Sequence, residues 1–261
     1  MLGFSNHFVL ALGVHSLYNS EAVVFMQRIA QFTTGKSVFP IILPSDSRLP
    51  MPTTIYLIRH GETDANVAGV WQGSTDSPLN DRGRAQARAL ARRIARERLP
   101  ITMIYSSPLQ RARQTAEMVA QALGDVPIIL DPGLAEYHLG EWEGLTYEQL
   151  KDEKRLWDRM ANDPDFTPPG GESPRQFAMR LLNSFQNITQ KHAGETVAVV
   201  GHGGALATAL SMLLDQSGAT WRQYQMLNAS LSKLVFDPQP RLEFFSDVSH
   251  LEAIGNLGEW Q

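Results

Sequence analysis

An arginine, a histidine and a glycine follow directly after an apolar, β-branched segment. The run Thr54–Ile58 has the composition of a buried strand, and Arg59, His60 and Gly61 come at its carboxyl end. Open α/β sheets carry their chemistry at that end of the strands. An imidazole can act as a nucleophile near neutral pH, and a guanidinium can bind an oxyanion through two donors. The segment predicts phosphoryl transfer, although a strand end with a structural histidine also fits these few residues.

Two further candidates for phosphate binding follow predicted strands in the same way. Arg111 lies near the start of a predicted helix, Leu109–Leu123, after the strand predicted at Ile101–Tyr105. A cation at a helix N-terminus opposes the helix dipole, so it is favourable there when an anion binds between them. His202 follows the strand predicted at Thr196–Val200, where a protonated imidazole would bind phosphate oxygens. Each residue alone is also compatible with a structural role.

Three acidic residues in one glycine- and aromatic-rich stretch are candidate proton donors. They are Glu136, Glu141 and Glu143. Neighbouring aromatic rings would desolvate a carboxyl group and raise its pKa toward the range in which it donates a proton. Spacing alone does not choose among the three.

The composition is that of a globular protein without thiol chemistry. The 261 residues are 43% apolar and 19% charged, and they include no cysteine. A disulfide, a thiolate nucleophile and cysteine-ligated zinc are thereby excluded. The formal charge of -4 supplies no broad cationic surface, which disfavours nucleic acid as a partner and leaves small phosphorylated ligands open.

Residues 1–52 differ in pattern from the rest. The apolar stretch Phe8–Val14 is too short for a membrane span. A secretory signal requires a positively charged residue before its apolar region, and no Lys or Arg precedes this stretch. We therefore assign no targeting or membrane role and expect a cytoplasmic protein. A short amphipathic helix is predicted at Glu21–Gln31, followed by a proline-rich linker. We expect this stretch to be a poorly packed extension or a misassigned start, with the native product beginning near Met51.

Strands and helices alternate beyond residue 52. A helix capped by Asn80 and a strand at Val126–Leu130 complete two β-α-β crossovers, which implies parallel pairing. A capping box begun by Ser173 predicts a long helix, and residues 230–245 indicate a terminal hairpin. The predicted fold class is α/β, with three α/β/α layers and a mostly parallel central sheet that carries helices on both faces.

Taken together, four separated motifs resemble the histidine phosphatase superfamily, also called the phosphoglycerate mutase-like fold. The motifs occur in the family's order, and they are Arg59-His60-Gly61-Glu62-Thr63, Arg111-Ala112 with Thr115, Leu134 with Glu136, and His202-Gly203. The resemblance implies a histidine phosphatase domain over residues 53–261, with a small helical cap around residues 137–171.

The resemblance also implies roles for individual residues. His60 corresponds to the nucleophile that becomes phosphohistidine, and Glu136 to the proton donor. The residues expected to bind phosphate are Arg59, Arg111, His202 and Asn66, and those expected to contact substrate are Gln72, Gly203 and Tyr137. Neither a metal nor another cofactor is implied. The expected partner is a small phosphorylated substrate, without nucleic acid or membrane, and a homodimer is compatible with the family.

Departures from the mutase pattern favour hydrolysis of phosphohistidine over transfer of its phosphoryl group back to a substrate. By alignment, Leu139 stands where cofactor-dependent phosphoglycerate mutases have a tyrosine, Tyr147 where they have a lysine, and Gly204 where they have an asparagine. A second phosphate would be poorly held, so phosphohistidine would more often meet water. We expect a phosphomonoester hydrolase of the broad-specificity branch that acts on a small phosphorylated metabolite, with phosphoglycerate mutase and α-ribazole phosphatase as alternatives.

Two other classes of protein compete with this interpretation. A metal hydrolase would place the pocket arginines beside a metal cation, which is unfavourable; its ligands would be His60, His138, His202 and Glu136. A phosphate-binding scaffold domain without activity usually lacks the nucleophile or the acid, and this chain has both.

Overall fold

The structure is a computed structural model that describes residues 51–254. The helix predicted at Glu21–Gln31 lies outside the described residues. The same holds for the extension expected over residues 1–52, apart from its last two residues. The proposed start near Met51 therefore stays a prediction.

One six-stranded sheet forms the centre of the molecule. Its strands are β1 (Thr53–Arg59), β2 (Met103–Ser106), β3 (Ile128–Leu130), β4 (Thr196–Gly201), β5 (Leu231–Asp237) and β6 (Gln239–Asp247). The spatial order is β3-β2-β4-β1-β5-β6. The strands β1 to β4 pair in parallel, and β5 and β6 add an antiparallel edge. The terminal hairpin predicted from the sequence is this edge.

Helices connect the strands, and short turns of helix fill the loops. The α-helices are α1 (Asp64–Val67), α2 (Asp81–Arg96), α3 (Gln110–Ala122), α4 (Leu156–Asn162), α5 (Pro174–Lys191) and α6 (Gly203–Leu214). Shorter 3-10 or π-helical turns are Pro132–Leu134, Gly140–Trp142, Gln149–Glu153, Gly218–Tyr224 and Ser249–Ile254. Across residues 51–254, no helix combines the length and apolar character that a membrane crossing needs.

Alternate side chains of β1 enter two separate cores. Ile55 and Leu57 pack in one core with side chains of α5 and α6. Tyr56 and Ile58 pack in the other core with side chains of α2 and α3. A parallel strand buried on both faces needs this continuous apolar run. The predicted three-layer α/β/α fold is confirmed.

The register of the parallel strands brings three strand ends to one edge. Arg59 pairs with Gly201, and Ser106 pairs with Val200. His60, Ser107 and His202 therefore leave neighbouring strands at the same edge of the sheet. The helices α3 and α6 begin just beyond that edge, so their N-terminal residues lie beside the strand ends.

Residues 137–171, the region predicted as a cap, contain short helical turns and α4. The loop after α1 is joined to this region by a bridge between Val70 and Thr146 and by a hydrogen bond from Trp71 N to Leu145 O of 2.9 Å. The ring of Trp71 lies 4.8 Å from that of Trp157 on α4, centroid to centroid. The loop that follows the first motif is therefore packed against the predicted cap.

Candidate active site

His60 lies at the end of β1 with 3% of its surface exposed. Its Nδ1 lies 2.6 Å from the carbonyl oxygen of Gly61. Because a carbonyl oxygen only accepts hydrogen bonds, Nδ1 carries the proton and Nε2 is left with a lone pair. Burial lowers the pKa of His60 well below its ordinary value, and the nearby Arg111 and Arg59 lower it further. The imidazole is thus neutral and suited to attack through Nε2.

The backbone around His60 is fixed by three hydrogen bonds to other segments of the chain, two to the loop at residues 228–229 and one to helix α3. The His60 carbonyl accepts from Asn228 Nδ2 at 3.1 Å and from Ala229 N at 3.1 Å. Ala229 has φ of 54°, in the left-handed region that few non-glycine residues occupy. The next residue, Gly61, donates its N–H to Thr115 Oγ1 at 3.2 Å. These bonds hold the backbone at His60 in one conformation.

Arg59 lies beside the first residue of α6. Its Nη1 donates to the Met226 carbonyl at 2.5 Å. A Cβ on Gly203 would lie 3.2 Å from Arg59 Cζ, so a larger residue at 203 would press on the guanidinium. Burial lowers the pKa of Arg59 to about 10, with Glu136 opposing and Arg111 adding to the shift. Arg59 still carries its charge near neutral pH.

Arg111 is 1% exposed and makes three hydrogen bonds. Its Nη1 donates to Thr75 O at 2.7 Å and its Nη2 donates to Gly73 O at 2.8 Å. Its Nε donates to Nδ1 of His202 at 3.2 Å. The guanidinium is therefore fixed near the start of α3, as its position in the sequence predicted.

His202 is neutral in this structure, which corrects the expectation of a protonated imidazole. Its Nδ1 accepts from Arg111, which can only donate, so the ring proton is on Nε2. Nε2 donates to Ser107 Oγ at 2.7 Å. Burial, Arg111, His60 and Arg59 all lower the pKa of His202. The ring centroid lies 5.2 Å from that of His60, so the two histidines line one pocket.

Among the three candidate acids, Glu136 lies nearest to these residues. Its Oε1 accepts from Tyr137 N and its Oε2 accepts from Gly204 N, both at 2.8 Å. A Cβ on Gly204 would come within 2.7 Å of Glu136 Oε1. The negative charge of Glu136 acts on both Arg59 and Arg111. The carboxylate therefore lies at the edge of the cationic pocket, at the start of α6.

Glu143 has a different place, in the predicted cap, where its carboxylate contacts the loop 73–75 that holds Arg111. Its Oε1 accepts from Ser74 N at 2.9 Å and from Ser74 Oγ at 2.5 Å, and its Oε2 accepts from the Thr75 hydroxyl. Burial raises the pKa of Glu143, but these hydrogen bonds outweigh it, so the net pKa is lowered. Glu141 is exposed. Glu143 thus anchors the segment whose carbonyls accept from Arg111.

Asn66 and Gln72 form hydrogen bonds that connect the parts of the loop after His60. Asn66 Oδ1 accepts from Thr63 N and from Asn228 Nδ2, each at 3.2 Å. Gln72 Nε2 donates to Thr63 Oγ1 at 2.9 Å, and its Oε1 accepts from the Ser77 hydroxyl. Asn66 is joined to His60 through Asn228, whereas both polar groups of Gln72 are used within the loop.

Tyr137 differs from the expectation that its side chain contacts substrate. The ring is 5% exposed and packs in the core, 5.0 Å from Phe177 between ring centroids. Its neighbour Glu136 turns toward the pocket, so Tyr137 turns toward the core. The part of Tyr137 that serves the site is its backbone N–H, which binds Glu136.

Several residues that support the pocket were not predicted from the sequence. Ser107 follows β2 as His60 follows β1, so the strand-end rule was a signal that could have found it. Asn228 lies in a loop without periodic pattern, and nothing in its neighbourhood of the sequence marks it. Within residues 51–254, no three His, Asp or Glu side chains form a group that could hold a metal ion.

The arrangement is suited to stabilising a phosphoryl group. Two guanidinium groups and two neutral imidazoles lie together, with one carboxylate at the edge. Each of the four basic side chains is at most 6% exposed. Charge stabilisation in such a water-poor site is strong, because little solvent screens it. Phosphoryl transfer needs an in-line nucleophile and this kind of charge stabilisation.

Comparisons with known proteins agree with this geometry. The family described as histidine phosphatase superfamily (branch 1) matches residues 55–246. The chain is similar to the metal-independent phosphoserine phosphatase of Arabidopsis thaliana, with 38% identity over 78% of this chain and 86% of that protein. It is 35% identical to the phosphoglycerate mutase-like protein 4 of the same plant, over 78% of this chain and 89% of that protein.

Solved structures resemble the chain over the same region. Bacillus stearothermophilus YhfR is 35% identical with a TM-score of 0.68, covering 76% of this chain and 99% of that one. A variant phosphoserine phosphatase from Entamoeba histolytica, solved with phosphoserine, is 29% identical with a TM-score of 0.68 over the same shares. Both likenesses agree with the family match. The chain belongs to the histidine phosphatase superfamily, whose members hydrolyse phosphomonoesters through a phosphohistidine intermediate.

Proposed function

We propose that the substrate is a small phosphorylated metabolite of the phosphoserine type, with His60 as nucleophile and Glu136 as proton donor. The observation that carries the proposal is the neutral His60, with a free lone pair on Nε2, inside a pocket with two buried guanidinium groups. The relative and the solved neighbour described as phosphoserine phosphatases support this substrate class.

The first half-reaction transfers the phosphoryl group to the enzyme. Nε2 of His60 attacks phosphorus in line, and the bond between phosphorus and the ester oxygen breaks. Glu136 enters this step in its protonated form and gives that proton to the departing alkoxide, which leaves as an alcohol. Arg59 and Arg111 balance the charge on the equatorial oxygens, so the chain's own cations do the work that a metal ion does in other phosphatases. We expect undiminished activity in the presence of a chelator.

The second half-reaction returns the enzyme to its starting state. Water attacks the phosphohistidine while Glu136 takes a proton from it, the phosphorus–nitrogen bond breaks, and inorganic phosphate leaves. Glu136 is thus protonated again, now with a proton from water, and His60 regains its lone pair.

Other predicted residues have supporting parts in this proposal. Asn66 uses its oxygen within the protein, so its Nδ2 is the group that would donate to phosphate. Gly203 lets the Arg59 guanidinium approach closely. His202 lines the pocket and orients Arg111. Gln72 stabilises the loop that contains Asn66 through its hydrogen bond to Thr63.

We also propose that the predicted cap around residues 137–171 selects the alcohol part of the substrate. Its aromatic rings support this, since Trp157 lies 4.8 Å from Trp71 and 5.9 Å from Tyr147 between centroids. The small substrate as sole partner, a cytoplasmic location and a homodimer stay predictions.

A phosphoglycerate mutase is the second candidate, because one similar protein is described as phosphoglycerate mutase-like. A direct comparison separates the two. Purified protein is given O-phosphoserine in one assay, and 3-phosphoglycerate with its bisphosphorylated cofactor in the other. Hydrolysis that exceeds mutase flux supports the phosphatase, and cofactor-stimulated mutase flux that exceeds hydrolysis overturns it.

A further inference from the structure

Arg180 on α5 lies outside the four motifs but binds the backbone of the segment that carries Glu136. Its Nη1 donates to Gly133 O at 3.0 Å and to Ala135 O at 2.7 Å. Its Nη2 donates to Glu136 O at 2.9 Å. One guanidinium therefore holds three carbonyls within four consecutive residues, including that of the proposed proton donor.

Glu172 completes this arrangement from the loop before α5. Its Oε2 accepts from Arg180 Nε at 2.9 Å and its Oε1 accepts from Arg180 Nη2 at 2.6 Å. Glu172 Oε1 also accepts from His138 N at 2.9 Å. The segment 133–138 is therefore tied at both ends, at its carbonyls by Arg180 and at its last N–H by Glu172. A two-point pair of this kind restricts rotation of the guanidinium as well as its position.

Packing beneath the pair leaves little freedom for the segment. The Arg180 guanidinium carbon lies 4.8 Å from the ring centroid of Phe177, one turn earlier on the same helix. A Cβ on Gly133 would lie 2.1 Å from Ser184 Oγ, so the segment contacts α5 through its backbone. Arg180 and Glu172 side chains are 25% and 15% exposed, which limits competition from water.

We propose that Arg180, with Glu172, is a positioning residue for proton transfer by Glu136. The inference rests on the proposed role of Glu136. Arg180 holds the backbone of Glu136 while Gly204 N and Tyr137 N hold its carboxylate, so the carboxylate has one place relative to the leaving oxygen. Proton transfer requires hydrogen-bond distance, and a displacement of about 1 Å costs on the order of 100-fold in rate. The single ammonium group of a lysine lacks the planar set of N–H donors of a guanidinium, so it cannot replace these contacts.

Comparing two esters whose leaving groups differ in their need for a proton distinguishes a positioning role from a general structural role. An alkyl phosphomonoester such as O-phosphoserine releases a strongly basic alkoxide, which needs the proton from Glu136. The p-nitrophenolate ion is stable and leaves without one. Loss of positioning should therefore slow phosphorylation of His60 by the alkyl ester and spare phosphorylation by p-nitrophenyl phosphate.

The experiment measures the phosphorylation half-reaction for both esters by rapid quench, so that the later attack by water does not interfere. The variants are Arg180→Met, which keeps an apolar stem over Phe177, Arg180→Lys and Glu136→Gln. Arg175→Met is the matched control, because Arg175 lies on the same helix and pairs instead with Asp165 at 2.6 Å. Thermal unfolding is recorded for every variant, and Arg180→Lys takes the place of Arg180→Met if the latter does not fold.

We expect the Arg180 variants to lower the alkyl rate by about 10- to 100-fold, up to the lower end of what acid catalysis supplies, and to change the p-nitrophenyl rate less than about threefold. Arg175→Met should leave both rates unchanged. Equal losses for the two esters, or no loss for either, would overturn the positioning role. If Glu136→Gln also fails to separate the esters, the proton-donor role of Glu136 is wrong; if it separates them and the Arg180 variants do not, only the positioning proposal is wrong.

Discussion

Arg111 Nε donates a hydrogen bond to Nδ1 of His202 at 3.2 Å, so the two basic side chains of the pocket are joined as donor and acceptor. A guanidinium has no acceptor, and the bond therefore requires an unprotonated Nδ1. Ser107 accepts from the opposite ring nitrogen. The pocket thus keeps two guanidinium charges close together without adding a third charge on His202.

The neutral state of His202 predicts a pH-dependent stability. Its pKa in the folded protein is lowered by burial, whereas an unfolded histidine titrates near about 6.5. As the pH falls below that value, His202 becomes protonated in the unfolded chain but stays neutral in the folded chain. The free energy of unfolding therefore falls by up to about 1.4 kcal/mol per pH unit for this residue, and the contribution is fully present above the unfolded pKa.

His202→Asn should remove this contribution. We expect urea unfolding of the variant between about pH 7 and pH 5 to show a shallower pH slope than the wild type, by up to about 1.4 kcal/mol per unit. The surface substitution Gln190→Asn is the control and should follow the wild-type slope, because that exposed side chain carries no titratable group. An identical slope for His202→Asn and wild type would show that His202 titrates normally.

Glu143→Ala should weaken substrate binding although Glu143 does not touch the phosphate site. The substitution removes the acceptor of the Ser74 and Thr75 donors, and the carbonyls of this segment hold Arg111. Loss of hydrogen bonds to a charged group costs about 1.5–3 kcal/mol of stability. We expect a lower melting temperature and a KM raised roughly tenfold, which corresponds to about 1.4 kcal/mol.

The matched control for Glu143 is the exposed Glu141, two residues earlier in the same loop. Glu141→Ala should leave KM and the melting temperature unchanged. Steady-state kinetics with p-nitrophenyl phosphate checks both variants. Equal behaviour of the two variants would contradict the anchoring role of Glu143.

Gly204→Ala should displace the carboxylate of Glu136. The new Cβ would lie 2.7 Å from Glu136 Oε1, closer than the two atoms can approach. We expect turnover of alkyl phosphomonoesters to fall about 100-fold, near the lower end of what acid catalysis supplies, with little change in unfolding free energy. Gly218→Ala is the control, since the nearest atom to its Cβ would be Met212 Sδ at 3.7 Å. Normal turnover in Gly204→Ala would mean that Glu136 is not needed where the structure places it.

Much of this fold follows from local sequence patterns. The apolar runs of β1 and β4 and the caps at Asn80 and Ser173 determine where strands and helices begin, and the structure has all four. Because these two strands are parallel, their carboxyl ends place His60 and His202 at one edge of the sheet. These features are predictable because each depends on neighbours within a few residues.

Contacts between distant segments could not be predicted in the same way. The choice of Glu136 over Glu143 depends on Gly204 N and on the Ser74 donors, which are far apart in the sequence. The charge state of His202 depends on Arg111, and the core position of Tyr137 depends on Phe177. Hydrogen-bond partners of this kind are set by tertiary packing, and residue type and spacing do not encode them.

Attack by His60 on the substrate leaves phosphate covalently bound to that residue, and the position of this phosphate can be measured. The enzyme is mixed with labelled O-phosphoserine, denatured within milliseconds at alkaline pH, where phosphohistidine is stable, and the labelled peptide is sequenced. We expect label on His60 in the wild type, and neither label nor turnover in His60→Ala, with folding confirmed by circular dichroism. Label on another residue, or near-normal turnover in His60→Ala, would contradict it.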